Sequence, residues 1–125
     1  MVVNEQRAIK IVMKYEKKQG RNPKDVHAEG LGYDVKSGKR LIEVKGKGSS
    51  KPKFTAGITL YKTLLKKLGK NILNYYIYIV YGLDENKPKM KILTYDLIFK
   101  NLEIDTRYLI RGKVIRDKGL KEIIL

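Results

Sequence analysis

The sequence predicts an α/β protein: a mixed central sheet flanked by helices, with elements in the order α-β-β-β-α-β and a further strand and tail behind them. Three observations carry this reading. The first segment places apolar residues at helical spacing. Two strand candidates then follow each other across a Ser37-Gly38-Lys39 turn. Residues 75–81 are a continuous run of Tyr, Ile and Val, the composition of a central strand covered on both faces.

Residues 4–18 read as a helix. Asn4 is placed to cap its start, Glu5 suits the first turn, and Gly20 supplies a stop. Ala8, Ile11, Val12 and Tyr15 fall at i, i+3, i+4 and i+7 and make one apolar face. Glu5 lies one turn before Ala8 and Ile9, so its carboxylate can run along the core boundary. Strand candidates follow at residues 25–28, 33–36 and 40–45, the first two separated by Gly30 and Gly32. The second and third should pair as an antiparallel hairpin. In the third, Ile42 and Val44 share one face, and Leu41, Glu43 and Lys45 share the other.

Residues 46–53 combine Gly, Ser, Pro and Lys and read as a mobile, basic, exposed loop. A second helix is expected over 59–70, capped by Thr59, with Leu60, Leu64, Leu65 and Leu68 as its apolar stripe. After the Tyr-rich strand come a polar turn at 83–89, a strand at 90–95 and a short helical turn from Asp96 to Lys100. Residues 107–115 read as a strand or a hairpin around Gly112.

The chain has 125 residues, one domain's worth, read as a single domain over 1–125. There is no Cys, which excludes disulfides, zinc ribbons, iron–sulfur clusters and thiol catalysis. A single His, His27, makes a His-based triad unexpected, and it reads as a strand residue without catalytic duty. No apolar run is long enough to span a membrane, and the N-terminal residues lack a secretory h-region, so a cytoplasmic protein is expected. Lys and Arg number 28 against 13 Asp and Glu, a net charge of +15. So much like charge on a small domain repels itself and favours a polyanionic partner, nucleic acid first. A membrane surface is not expected, because the basic residues spread from Arg7 to Lys121 rather than forming an amphipathic helix or tail. Heavy use of Lys, Ile and Tyr also fits a compositional bias of the genome or habitat.

The pattern acidic-x-Lys recurs at Glu16, Asp34, Glu43 and Glu85, as a Lys-rich chain produces by accident. Context separates the copies. Glu16 ends a helix and Glu85 lies in a turn, whereas Asp34 and Glu43 sit on strands expected to pair. Residues i and i+2 of a strand point the same way, roughly 6.5–7 Å apart at Cα, so Glu43 and Lys45 address one point. If Asp34 faces them, two carboxylates converge beside an ammonium, and they repel unless a cation joins them. Mg²⁺ suits such a pair, with Mn²⁺ able to substitute, and leaves positions for water and phosphate. Lys36, Lys39, Arg40, Lys47, Lys51 and Lys53 flank this place, and Lys62 and Lys66 lie one helical turn apart; all are candidates to contact phosphates of DNA. Glu29, beside Gly30, is a loop acid and a spare ligand. Tyr75, Tyr76, Tyr78 and Tyr81 read as core and strand residues rather than stacking platforms.

Glu5 in the first helix, Gly30-Leu-Gly-Tyr-Asp-Val-Lys36 and Ile42-Glu-Val-Lys-Gly46 together resemble the PD-(D/E)xK nuclease superfamily. They look more specifically like the domain of unknown function named after the C-terminus of plant NO VEIN proteins. Tyr33 stands where the superfamily motif has Pro. The resemblance implies a restriction-endonuclease-like fold and a Mg²⁺-dependent nuclease acting on DNA. It implies that Asp34, Glu43 and the Val44 carbonyl bind metal, that Lys45 is the catalytic lysine, and that Glu5 supports metal binding. A homodimer, as in archaeal Holliday-junction resolvases, and a helicase or restriction-system partner are the associations it suggests. The alternatives are a Holliday-junction resolvase-type endonuclease and a non-catalytic, basic nucleic-acid-binding module or adaptor.

Overall fold

The structure, a computed structural model, describes residues 2–51, 58–60, 62–101, 103–104, 108–117 and 119–125. Its strands are β1 (Pro23–Asp25), β2 (Val35–Ser37), β3 (Arg40–Gly46), β4 (Ile58–Leu60), β5 (Tyr75–Tyr81), β6 (Lys89–Leu93), β7 (Glu103–Ile104), β8 (Tyr108–Ile110) and β9 (Ile123–Ile124). The helices are α1 (Val2–Lys18), α2 (Lys62–Leu68), α3 (Tyr95–Lys100) and α4 (Gly112–Arg116). Six strands form one sheet in the order β1-β2-β3-β5-β6-β9, and β4-β8-β7 form a smaller one. β3 and β5 run parallel, while the other neighbours in the large sheet are antiparallel. The protein is therefore a mixed α/β fold. Among the described residues, no helix is long and apolar enough to cross a membrane.

Alternation along β3 divides the core in two. Ile42 and Val44 face α1, packing with Ala8, Ile9, Val12, Val35, Tyr78 and Val80. Leu41 faces the other way and packs with Tyr75, Ile77, Ile79, Leu68, Ile98, Ile110 and Ile115. Both faces of the central pair are thus covered, which is why β5 can be apolar at nearly every position. Gly38 closes the β2–β3 hairpin at φ +58°, a left-handed conformation that favours glycine. Gly46 has a different role. A Cβ there would meet the Asn4 carbonyl oxygen at 2.8 Å and Ala8 Cβ at 3.0 Å. Its lack of a side chain lets the start of α1 lie close to the end of β3, and Arg7 reinforces this by donating to the Leu83 carbonyl.

Several local expectations are corrected. α1 begins at Val2, so Asn4 lies inside the first turn rather than capping it. His27 belongs to a 3₁₀ turn over His27–Glu29, because β1 ends at Asp25, whose carboxylate accepts the His27 N–H at 3.1 Å. The helix expected from Thr59 starts at Lys62. Residues 58–60 instead pair with β8 in register, a non-local pairing that overrides local helix preference. Thr94, rather than Asp96, precedes the first residue of α3. Gly112 opens α4 instead of closing a hairpin. The loop after β3 is not free backbone: Lys47 donates to the Val80 carbonyl, while Gly82, Leu83 and Asp84 donate to Ser49, Lys47 and Gly48. Residues 52 and 53 of that loop lie outside the described residues.

Candidate functional site

β2 and β3 pair so that Val35 lies opposite Ile42. Asp34, just before β2, therefore lies across from Glu43 at the edge of β3, where it also lines a pocket with residues of α1. Its backbone N–H donates to the Ile42 carbonyl at 2.8 Å, and its Oδ2 accepts the Val44 N–H at 2.8 Å. The side chain thus takes the ladder position that a longer β2 would occupy. The N–H and C=O of one extended residue project from the same strand edge, so the Val44 carbonyl faces the Asp34 side as well.

Glu43 sits against Asp34. Burial pushes its carboxyl up, a hydrogen bond with Asp34 and the Asp34 charge push it further, Lys45 partly offsets this, and the Glu5 charge adds a smaller increment; it reaches about 9. Lys45 Nζ lies 3.9 Å from Glu43 Oε2, with the lysine side chain 40% exposed and the glutamate 23%. Raised this far, the Glu43 carboxyl keeps its proton at neutral pH, and its hydrogen bond with Asp34 replaces the repulsion of two negative charges.

Tyr75 walls the site from beneath. It lies opposite Leu41 in the parallel register, its hydroxyl is 3.5 Å from the Gly32 carbonyl, and its pKa is raised first by burial and then by the charges of Glu43 and Asp34. A pocket of about 160 Å³ opens beside the carboxylates, lined by Glu5, Gln6, Ile9, His27, Asp34 and Val44.

The site joins four expected residues, Asp34, Glu43, Val44 and Lys45, with Glu5 on the pocket's α1 side. Two adjacent carboxylates beside a carbonyl edge fit a hard cation such as Mg²⁺, which takes one or two carboxylates and keeps several waters. Among the described residues, no group of three or more His, Cys, Asp or Glu is placed to hold a metal ion.

The basic candidates divide. Lys36 is exposed on the same face as Asp34, and Lys47 and Lys51 are exposed beyond β3. Lys39 is exposed in the hairpin turn at the far end of β3, and Lys66 is exposed on α2. Glu29 is an exposed residue of the 3₁₀ turn. Lys53 lies outside the described residues, as does the side chain of Lys62. Arg40 is placed differently from the expectation. Alternation puts it on the α1 face, where it donates to Tyr78 Oη at 2.7 Å and lies 4.3 Å from the Tyr76 ring centroid. That face carries a second charged cluster. Glu16 is fully buried, accepts both Nε and Nη2 of Arg21 at 2.5 and 2.8 Å, and accepts Tyr78 Oη at 2.8 Å.

Sequence reasoning missed His27 and Tyr75 as site neighbours. Asp25-Val-His27 is the spacing of an Asx turn, a signal available in the sequence. Tyr75 carried no local signal, because its place depends on the parallel pairing of β3 with β5.

No curated protein and no solved structure matches this chain. The family model described as Protein NO VEIN, C-terminal, matches residues 4–93, a span that holds α1, the β2–β3 hairpin, β5 and β6, and with them every residue of the acidic site. With well over half of its length covered, the chain belongs to the NO VEIN C-terminal family.

Proposed function

We propose that this protein is a Mg²⁺-dependent nuclease that hydrolyses phosphodiester bonds in DNA, with a restriction-endonuclease-like core of the PD-(D/E)xK type. The observation that carries the reading is the contact of Asp34 with Glu43 on one face of the hairpin, with Lys45 3.9 Å from Glu43. Such a pair is costly in a purely structural role, because burial disfavours the charge and the neighbouring acid repels it. Asp34 and Glu43 would hold a divalent ion there, which would supply Lewis acidity toward a phosphoryl oxygen and toward water.

The chain's own residues do the rest. Asp34 and Glu43 anchor the cation, Asp34 being held in place by the Val44 N–H. Lys45, partly exposed, orients the attacking water and offsets charge growing on the phosphate. Glu5, from α1, lines the pocket, adds negative potential there and would support metal binding. Lys36, Lys47 and Lys51 contact flanking phosphates, and the net charge of +15 draws the polyanion in.

The test is cleavage of supercoiled, linear, branched and single-stranded substrates in Mg²⁺ or Mn²⁺. Wild type is expected to cleave at least one of them and Glu43→Ala none. Identical behaviour of the two proteins on every substrate removes the catalytic reading. A second reading, a nucleic-acid-binding module without catalysis, is favoured by the lack of a three-ligand cage among the described residues. It predicts salt-sensitive DNA binding that neither Glu43→Ala nor metal alters.

A further inference from the structure

We propose that His27, oriented by Asp25, is a phosphate-contacting residue of this pocket and holds a nucleic-acid phosphate next to the one at the Asp34–Glu43 pair. The inference rests on the reading of that pair as a phosphate-handling site. It starts from geometry. His27 Nδ1 lies 2.5 Å from Asp25 Oδ1, and the same oxygen accepts the His27 backbone N–H at 3.1 Å. A carboxylate accepts only, so Nδ1 is the protonated nitrogen of this pair and the ring cannot turn without losing it. That leaves Nε2 as the free nitrogen, on a side chain 44% exposed that lines the same pocket as Asp34, Val44 and Glu5.

A histidine locked by a carboxylate at one nitrogen and open at the other is built to present the second nitrogen to something. Here the surroundings decide what. The charged groups that act on His27 are Asp25, Asp34 and Glu5, all acidic. Asp25, by hydrogen bond and by charge, raises the imidazole pKa, and Asp34 and Glu5 raise it further. When protonated, the ring offers an Nε2–H donor and a positive charge at the rim of an otherwise acidic pocket. Those are the properties a phosphate oxygen requires, and they would let a polyanion approach a pocket whose carboxylates alone would repel it.

The experiment measures binding, not turnover. A short fluorescent DNA duplex, and its single strand, are titrated with wild type, His27→Gln and His27→Lys in Ca²⁺, with salt varied. Wild type is expected to bind on the order of tenfold more tightly than His27→Gln near pH 6. The salt slope of His27→Gln should be shallower by about 1. Between about pH 6 and about pH 9 wild-type affinity should fall toward that of His27→Gln, while His27→Lys keeps its affinity. A merely structural His27 would leave the slope and the pH profile where they were. Equal affinity and equal slope for wild type and His27→Gln overturn the proposal, as does the absence of DNA binding by wild type at low salt. If His27→Gln loses affinity as expected but wild type cleaves nothing, the phosphate contact stands and the nuclease reading falls.

Discussion

Two glutamates near strand β3 sit in opposite electrostatic situations. Glu16, on the α1 face, is fully buried, and burial alone would raise its pKa. Arg21 and Tyr78 donate hydrogen bonds to it, the Arg21 charge adds to them, and the balance leaves the carboxyl below its ordinary value. Ser37 adds a smaller effect in the same direction, although its buried hydroxyl has no partner within hydrogen-bond distance. Glu43, on the other face, lies far above its ordinary value, because burial raises it first, the neighbouring Asp34 raises it further, and Lys45, 3.9 Å away, offsets this only in part. The first carboxylate is completed by the protein, and Arg40 joins it by bonding Tyr78. The second has another acid as its neighbour and Lys45, at 3.9 Å, as its counter-charge. In sequence both begin an acidic-x-Lys triplet; what separates a brace from a site is whether the donors around the carboxylate outweigh its burial.

The comparison can be broken at either end. The largest effect is expected at the site. Lys45→Ala should lower the rate of DNA cleavage by about 10²–10⁴-fold while metal affinity, followed by calorimetry, stays close to wild type. A rate within a few fold of wild type would remove Lys45 from the chemistry. On the other face, Glu16→Ala should cost about 3–5 kcal/mol in denaturant unfolding, since it leaves Arg21 and Tyr78 without their common partner. A loss below about 1 kcal/mol would mean the network is not a brace. Tyr78→Phe removes the hydroxyl that links Glu16 to Arg40 and should cost about 1–3 kcal/mol by the same measurement.

The pH dependence sharpens the contrast. Glu16 lies below its ordinary 4.5 in the fold, so its contribution is complete above that pH and is lost as pH falls through the folded value. Glu43 lies at about 9 against 4.5, so without metal the native state binds the extra proton, and stability falls as pH rises between those values. In metal-free buffer, Glu43→Gln should match wild type below about pH 4.5 and exceed it increasingly toward pH 9. Glu16→Gln should do the reverse: it is less stable than wild type at neutral pH and approaches it in acid. Thermal scans across pH check both. The smallest effect is metal stabilisation: Mg²⁺ at ten times its Kd should stabilise wild type by about 1.4 kcal/mol and Glu43→Gln by nearly nothing.

Much of the site was legible because strand geometry is strict. A period of two put Glu43 and Lys45 on one face, and the Gly38 turn set the register that brings Asp34 across from Glu43. The apolar run at β5 showed its central place for the same reason. What stayed hidden depended on distant pairings. Thr59 and Leu60 looked helical until β8 claimed them. Glu16 read only as a helix end, although it continues the buried Ala8–Val12 stripe by one more turn, where Arg21 and Tyr78 close over it. Arg40 has the opposite parity to Glu43 on β3, and its contacts with Tyr76 and Tyr78 depend on the pairing of β3 with β5, which no local pattern announces.

The central claim is that Asp34 and Glu43 share a divalent cation in place of a proton. Titration calorimetry with Mn²⁺ near neutral pH, in buffers of different ionisation heat, tests it most directly. Wild type should take up one ion and release about one proton, and Glu43→Gln should do neither. Uptake with no proton released, or equal uptake by the two proteins, would contradict it.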